Sequence, residues 1–290
     1  MRKRFRELLA RESALVLPGV ADAFTARIVE KSGFEALYVT GAGVANTLLG
    51  APDIGLVTLT EMATRVGAIA AAVAVPVMAD ADTGFGGVAN VKRTVRAYED
   101  AGVAALHLED QEFPKRCGHF EGKRVVPQRE MLLRLAAALD ARRDAGMLIF
   151  ARTDARSVEG LDAALARARA YLALGVDGLF IEAPVNLDEL RRIGEAFAGV
   201  PLIANIVEGA KTPIVPAAEL KALGFSIVLY ANTALRLAGF AVQQGMRELR
   251  ESGSSAALTG RMLSWSDRQA LVRLAQSDEE ERELIRRIGG

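Results

Sequence analysis

Four segments of the chain share one pattern of apolar and polar positions: SGFEALYV (32–39), AGVAALHL (101–108), LGVDGLFI (174–181) and LGFSIVLY (223–230). In each, a Gly closes a helical stretch and an apolar run follows. A Gly at a helix end accepts the left-handed conformation, and an unbroken apolar run is what a parallel strand covered on both faces requires. Between these segments lie four more apolar runs of strand length: LVLPG (15–19), VPVMADAD (75–82), MLIFARTDA (147–155) and VPLIANIV (200–207). The connecting stretches, such as 58–73, 88–102 and 160–175, carry helical periodicity and are rich in Ala, Leu and Arg. Eight strands alternating with helices predict an α/β fold, a (β/α)8 TIM-type barrel. An open doubly wound sheet is the rival, but it more usually carries a Gly-rich turn after its first strand, and LPGVADAF does not read as GxGxxG.

Beyond the eighth run the pattern predicts one long helix (233–253), a short Ser-rich break and a polar amphipathic tail from Leu271 to Arg287. No Pro/Ser linker interrupts the chain. The expected organisation is one domain, 1–290, with the barrel at about 14–240 and a C-terminal helical extension at about 241–290. The extension exceeds what barrel closure needs. It packs on a neighbouring subunit or stands as a solvated helix, and the pattern fits both.

Composition narrows the function classes. The chain is 51% hydrophobic and 25% charged, the balance of a globular protein. Lys plus Arg and Asp plus Glu number 36 each, so no net field favours nucleic acid or an anionic membrane. The longest apolar run, Ala68 to Met78, is too short to span a bilayer and contains Pro76. The basic start lacks a long apolar core with a cleavage site, so a cytoplasmic protein is expected. A single cysteine, Cys117, permits no intramolecular disulfide, in keeping with a reducing compartment.

In a barrel, catalytic groups come from the C-terminal ends of the strands and the loops after them. The polar residues fall there: Asp80 and Asp82 on strand 3, His107, Glu109 and Asp110 on strand 4, Arg152 and Asp154 on strand 5, Glu182 on strand 6, Asn205 and Glu208 on strand 7. Several carboxylates at one mouth repel unless a cation sits among them. Oxygen ligands alone favour a hard ion, and Mg²⁺ takes one or two carboxylates while keeping water, so Mg²⁺ is the first choice, with Mn²⁺ as the alternative. The plainer reading pairs these acids with Arg and Lys around the rim. The loop 111–127 is long for a strand-to-helix connection and carries Lys115, Arg116, Cys117, Gly118 and His119 in succession. Neighbouring cations activate a thiol and Gly118 lets the backbone approach a ligand, which suggests a lid bearing an acid/base group; an inert cysteine is the alternative.

The runs VTGAGVA (39–45), APDIG (51–55), ADADTGFG (79–86), LEDQ (108–111), KRCGH (115–119) and ARTDA (151–155) resemble the isocitrate lyase and phosphoenolpyruvate mutase superfamily over roughly Pro18 to Leu237. That resemblance implies a Mg²⁺-dependent enzyme acting on a small 2-keto or 2-hydroxy acid, assembled as a homotetramer with an exchanged eighth helix. It makes Asp80 a direct metal ligand, with Asp53, Asp82 and Glu109 holding metal-bound water. Tyr38, Thr40, Gly41 and Ala42 would line the keto-acid carboxylate, and Arg152 would meet the α-carboxylate or the developing enolate oxygen. Glu182, His107, His119 and Asn205 would form the polar network, Lys115, Arg116 and Gly118 would join the substrate-binding set, and Cys117 would be the general acid. Tyr38, Glu182 or a metal-bound water would take the hydroxyl proton.

Within the superfamily, TGxGV, PDIGLVTLTEM and EDQxFPKRCGH resemble the 2,3-dimethylmalate lyase type, and a 2-alkylmalate lyase is the favoured expectation. The 2-methylisocitrate lyase type, with SGGGVA and YPLSA where this chain has TGAGVA and YANTA (230–234), is the runner-up. Carboxyphosphonoenolpyruvate mutases share a similar loop, oxaloacetate decarboxylase and phosphonopyruvate hydrolase relatives generally lack it, and a non-catalytic metabolite-binding barrel has no need of it; another oxaloacetate-acting relative is a further alternative.

Overall fold

The computed structural model of the protein describes residues 1–118 and 120–289. The chain forms two compact units, Met1–Leu235 and Arg236–Gly290. In the first, β1 (Leu15–Val20), β2 (Leu37–Val39), β3 (Val77–Asp80), β4 (Ala105–Glu109), β5 (Leu148–Thr153), β6 (Gly178–Ile181), β7 (Leu202–Asn205) and β8 (Ile227–Tyr230) pair in parallel in sequence order. β8 returns to β1, with Leu15 opposite Ile227 and Leu17 opposite Leu229, and the barrel closes. The helices Leu59–Ala72, Val88–Asp100 and Leu161–Ala173 match the periodicity of their segments to within two residues. Thr58 and Glu61 cap the first of these reciprocally, satisfying two backbone N–H groups that the helix itself leaves free.

Alternation along the strands sorts the side chains into two cores. Leu37, Val39, Val77, Ala79, Leu106, Leu108, Ile149 and Ala151 pack outward with the helices. Leu17, Tyr38, Met78, Phe150, Phe180, Ile203 and Leu229 fill the barrel itself. Each inward series ends in a polar group two residues further on: Met78 leads to Asp80, Phe150 to Arg152, Phe180 to Glu182, Ile203 to Asn205. The apolar floor thus delivers polar groups to one mouth because a strand repeats every second residue.

The first unit also includes a helix ahead of β1. The helix Arg2–Leu9 places Phe5 and Leu8 in the barrel's inner cluster. Its arginines bond carbonyls just before the strands: Arg2 to Val103 (3.1 Å), Arg4 to Ala74 (3.1 Å), Arg6 to Gly146 (3.2 Å). This helix stoppers the end of the barrel opposite the polar mouth.

The helix Thr233–Ser252 has no buried residue. The second unit continues through a 3₁₀ turn at Ala256–Arg261 and the helices Trp265–Leu271 and Leu274–Ile288, with Leu258 and Leu271 buried. Among the described residues no helix is long and apolar enough to cross a membrane.

Candidate active site

One cavity at the C-terminal mouth collects most of the expected residues. Tyr38, Thr40, Ala42, Asp53, Asp80, Glu109, Lys115, Arg116, Cys117, Gly118, Arg152, Glu182 and Asn205 line it. Gly41, Asp82 and His107 stand directly against this wall: the Gly41 N–H donates to Asp80 Oδ2 (3.3 Å), Asp80 Oδ1 accepts from the Asp82 N–H (2.9 Å), and His107 meets Tyr38. His119 lies outside the described residues. Ala231 and Asn232, where the chain departs from the YPLSA pattern, are in the lining, and so is Val207, which no sequence signal marked.

Strand register explains two of the pairings. Asp80 lies opposite His107, and Glu109 opposite Arg152. Arg152 Nε sits 3.2 Å from Glu109 Oε2 and donates to Asp154 Oδ2 (2.9 Å), while Nη2 donates to Asp154 Oδ1 (3.2 Å). Burial would lower the Arg152 pKa, but Asp154, Glu109, Glu182 and Asp80 together raise it well above its ordinary value. The Asp154 carboxyl, despite burial, is held below its usual range by Arg152 and Lys123. Arg152 is therefore a fixed cation whose guanidinium plane also lies over the Phe180 ring, 5.1 Å from its centre.

A second cation sits among the acids on the other side. Lys115 Nζ binds Asp53 and lies 2.6 Å from Asp82 Oδ1. Burial works against the ammonium, yet Asp82, Asp53, Glu109 and Asp80 raise its pKa well above normal. The repulsion expected from clustered carboxylates is thus met by Lys115 and Arg152 of the chain itself. Burial, against the pull of Lys115, leaves the Asp82 carboxyl raised to about 6, and its backbone is left-handed at φ 47°. Such a conformation is uncommon outside glycine, and Asp is among the residues that tolerate it.

The neutral partner is His107. Burial drives its pKa down to about 4 although Asp80 opposes this. Burial likewise raises Tyr38 well above 10, so its hydroxyl keeps its proton. The Tyr38 hydroxyl then donates to His107 Nε2 at 2.8 Å, which assigns the ring proton to Nδ1, 3.8 Å from Asp80 Oδ1.

The loop 111–127 closes the mouth. It is clasped at its base by a bridge between Gln111 and Val125, and Gln111 also bonds Arg116 through its side chain at both N–H (2.9 Å) and carbonyl (2.8 Å). The Cys117 N–H donates to the Asp53 carbonyl (3.1 Å), which sets the half-buried thiol in the cavity wall. Gly118 follows because nothing larger fits: a Cβ there would lie 2.5 Å from Arg152 Nη2 and 2.8 Å from Glu182 Cγ. Lys123 was not singled out in the sequence. It is buried, with Nζ donating to the Gly118 carbonyl and to Asp154 Oδ1 (2.7 Å).

Among the described residues, no three His, Cys, Asp or Glu side chains converge as a ready metal cage. Asp80 and Asp82 nevertheless face one small space beside Gly41, where a Cβ would come 2.8 Å from Asp80 Oδ2 and 3.3 Å from Asp82 Oδ1. Glu109 Oε1 is buried with no hydrogen-bond partner among the described residues. This oxygen set fits a hard ion taking one or two carboxylates and completing its sphere with water, and does not fit one wrapped by protein ligands.

The family described as phosphoenolpyruvate phosphomutase matches residues 5–250, which covers the barrel and its loops. The chain belongs to the phosphoenolpyruvate mutase family. Among its relatives in that family, the 2,3-dimethylmalate lyase of Eubacterium barkeri is 44% identical over 278 residues, 96% of each chain. A probable 2-methylisocitrate lyase of Corynebacterium glutamicum is 45% identical over 272 residues, 94% of this chain and 89% of that one. Of solved structures, oxaloacetate acetylhydrolase with the inhibitor 3,3-difluorooxalacetate superposes with a TM-score of 0.92 at 34% identity, covering 100% of this chain and 97% of the other. Phosphonopyruvate hydrolase in complex with oxalate and Mg²⁺ gives a TM-score of 0.86 at 28% identity, covering 99% and 98%.

Proposed function

We propose that the protein is a Mg²⁺-dependent carbon–carbon lyase that cleaves a 2-alkylmalate such as 2,3-dimethylmalate to pyruvate and a carboxylic acid. The observation that carries this reading is the Cys117 thiol, held by a closed loop in the same cavity wall as Arg152, Glu182 and Asp80. A proton donor over a carboxylate-binding cavity is what a departing carbanion needs, and a mere binding barrel needs none. The 44% identity to 2,3-dimethylmalate lyase across nearly the whole of both chains supports the same substrate class.

Roles follow from charge and position. Arg152, a permanent cation, binds the 2-carboxylate, and Thr40, Gly41 and Ala42 line its far side. Asp80 would hold Mg²⁺ directly, with Asp82, Glu109 and Asp53 bonding its waters; when bound, the ion withdraws charge from the oxygen on C2. Tyr38 keeps its proton and acts as a donor beside His107, so Glu182 is assigned to remove the C2 hydroxyl proton. As that proton leaves, the C2 oxygen becomes a carbonyl and the C2–C3 bond breaks. Its electron pair passes into the C3 carboxylate fragment as an enediolate, and Cys117 gives C3 a proton. Lys115 and Arg116 border the second carboxylate, and the closed loop excludes water.

The exposed helix Thr233–Ser252 supports a homotetramer in which this helix covers a partner: Leu237, Phe240 and Val242 are 66%, 64% and 60% exposed. The 2-methylisocitrate relative at 45% identity keeps a second reading open, in which the acid is a tricarboxylate. Incubation with Mg²⁺ and each acid in turn, pyruvate being followed by a coupled dehydrogenase, separates the two. Pyruvate from 2,3-dimethylmalate in preference to 2-methylisocitrate is expected, and no pyruvate from either would refute the lyase reading.

A further inference from the structure

We infer that Lys123 is a positioning residue: it latches the loop of Cys117 shut against Asp154 and so sets Cys117 and Arg152 together. The inference rests on the reading of that loop as the catalytic lid.

Three observations carry it. The Lys123 side chain is only 2% exposed, so its ammonium was brought out of water and held by partners, which a mere surface charge is not. Its two acceptors belong to different parts of the chain. One is the carbonyl of Gly118, the residue after Cys117, and the other is Asp154 Oδ1, on the end of β5. That same carboxylate grips Arg152 through both oxygens, so the ammonium, the carboxylate and the guanidinium form one buried chain. Opening the loop with Lys123 attached to Gly118 would strip Asp154 of one of its two cations. Closing it restores both. Loop position and Arg152 orientation are therefore coupled through the Lys123 side chain.

Two other ion pairs of the loop do not join it to Asp154. Lys211 lies 3.6 Å from Glu121 on the outer face, but both side chains are largely exposed, and such a pair contributes little. The ion pairs of Lys115 on the other flank are with Asp53 and Asp82, not with Asp154.

The chain's only cysteine sits beside the latch, so alkylation of the enzyme by iodoacetamide reports loop opening directly, without turnover. In Lys123→Met and in the milder Lys123→Gln, with native circular dichroism spectra, Cys117 should react at least about tenfold faster than in the wild type. Lys211→Met should react at the wild-type rate. In the lyase assay, kcat should fall with KM changed less than about threefold, because the latch places the proton donor and adds no substrate contact. Wild-type alkylation rates in the folded Lys123 variants would overturn the inference, as would equal acceleration by Lys211→Met. Absence of lyase activity in the wild type would instead defeat the proposed function and leave the alkylation comparison standing.

Discussion

Glu109 and Arg152 face each other across β4 and β5, their Cα atoms in register and Glu109 Oε2 3.2 Å from Arg152 Nε. The pair is buried, and the same Nε donates to Asp154 Oδ2 at 2.9 Å. Arg152→Met takes the ion-pair cation from buried Glu109 and leaves buried Asp154 with Lys123 alone. Destabilisation of about 3–5 kcal/mol is expected, read as a lower midpoint in urea unfolding. Arg152→Lys keeps the charge and loses the planar fork, so its midpoint should fall less while kcat/KM falls at least about a hundredfold.

Gly118 is a close-approach position. The Cβ of Gly118→Ala meets Arg152 Nη2 and Glu182, so the loop cannot seat fully. Since the residue is in a loop, the melting temperature should change little while kcat drops at least about tenfold. An unchanged kcat would show that the closed loop is not the reactive state.

His107 gives a pH signature. Its pKa falls from 6.5 to about 4 on folding, driven by burial. Between those values the unfolded chain binds a proton that the native state refuses, so this contribution is complete above pH 6.5 and is lost as pH falls through 4. The size is about 3 kcal/mol. Urea unfolding of metal-free enzyme from pH 7.5 to 4.5 should therefore show a steeper loss for wild type than for His107→Gln. Parallel curves would refute a neutral buried His107.

Much of this was legible in the chain. The four Gly-closed helical stretches, the eight apolar strands and the period-two placement of Asp80, His107, Glu109, Arg152 and Glu182 needed only helix-end and alternation rules. The N-terminal stopper was not legible, since RKRFRELL offers just a few apolar positions on a basic helix. Lys115 reads in sequence as a substrate contact or loop charge. That it neutralises Asp53, 62 residues away, depends on how the loop folds back. Lys123 in EGKR looks like a solvated charge for the same reason, and Asp154, visible at a strand end, gained its role only once Lys123 and Arg152 were seen to share it.

Asp80 is assigned the direct metal contact. Asp80→Ala should weaken Mn²⁺ binding, followed by the loss of the free-ion electron paramagnetic resonance signal on titration, by at least about a hundredfold and remove activity with it. Asp53→Ala, one water removed, should weaken it less. Equal affinity in the Asp80 variant would place the ion elsewhere.

The central claim is tested most directly at Cys117. With Mg²⁺ and 2,3-dimethylmalate, pyruvate release by Cys117→Ser should fall at least about a hundredfold below wild type while oxalate still binds with comparable affinity. Pyruvate release by Cys117→Ser at the wild-type rate would contradict the account.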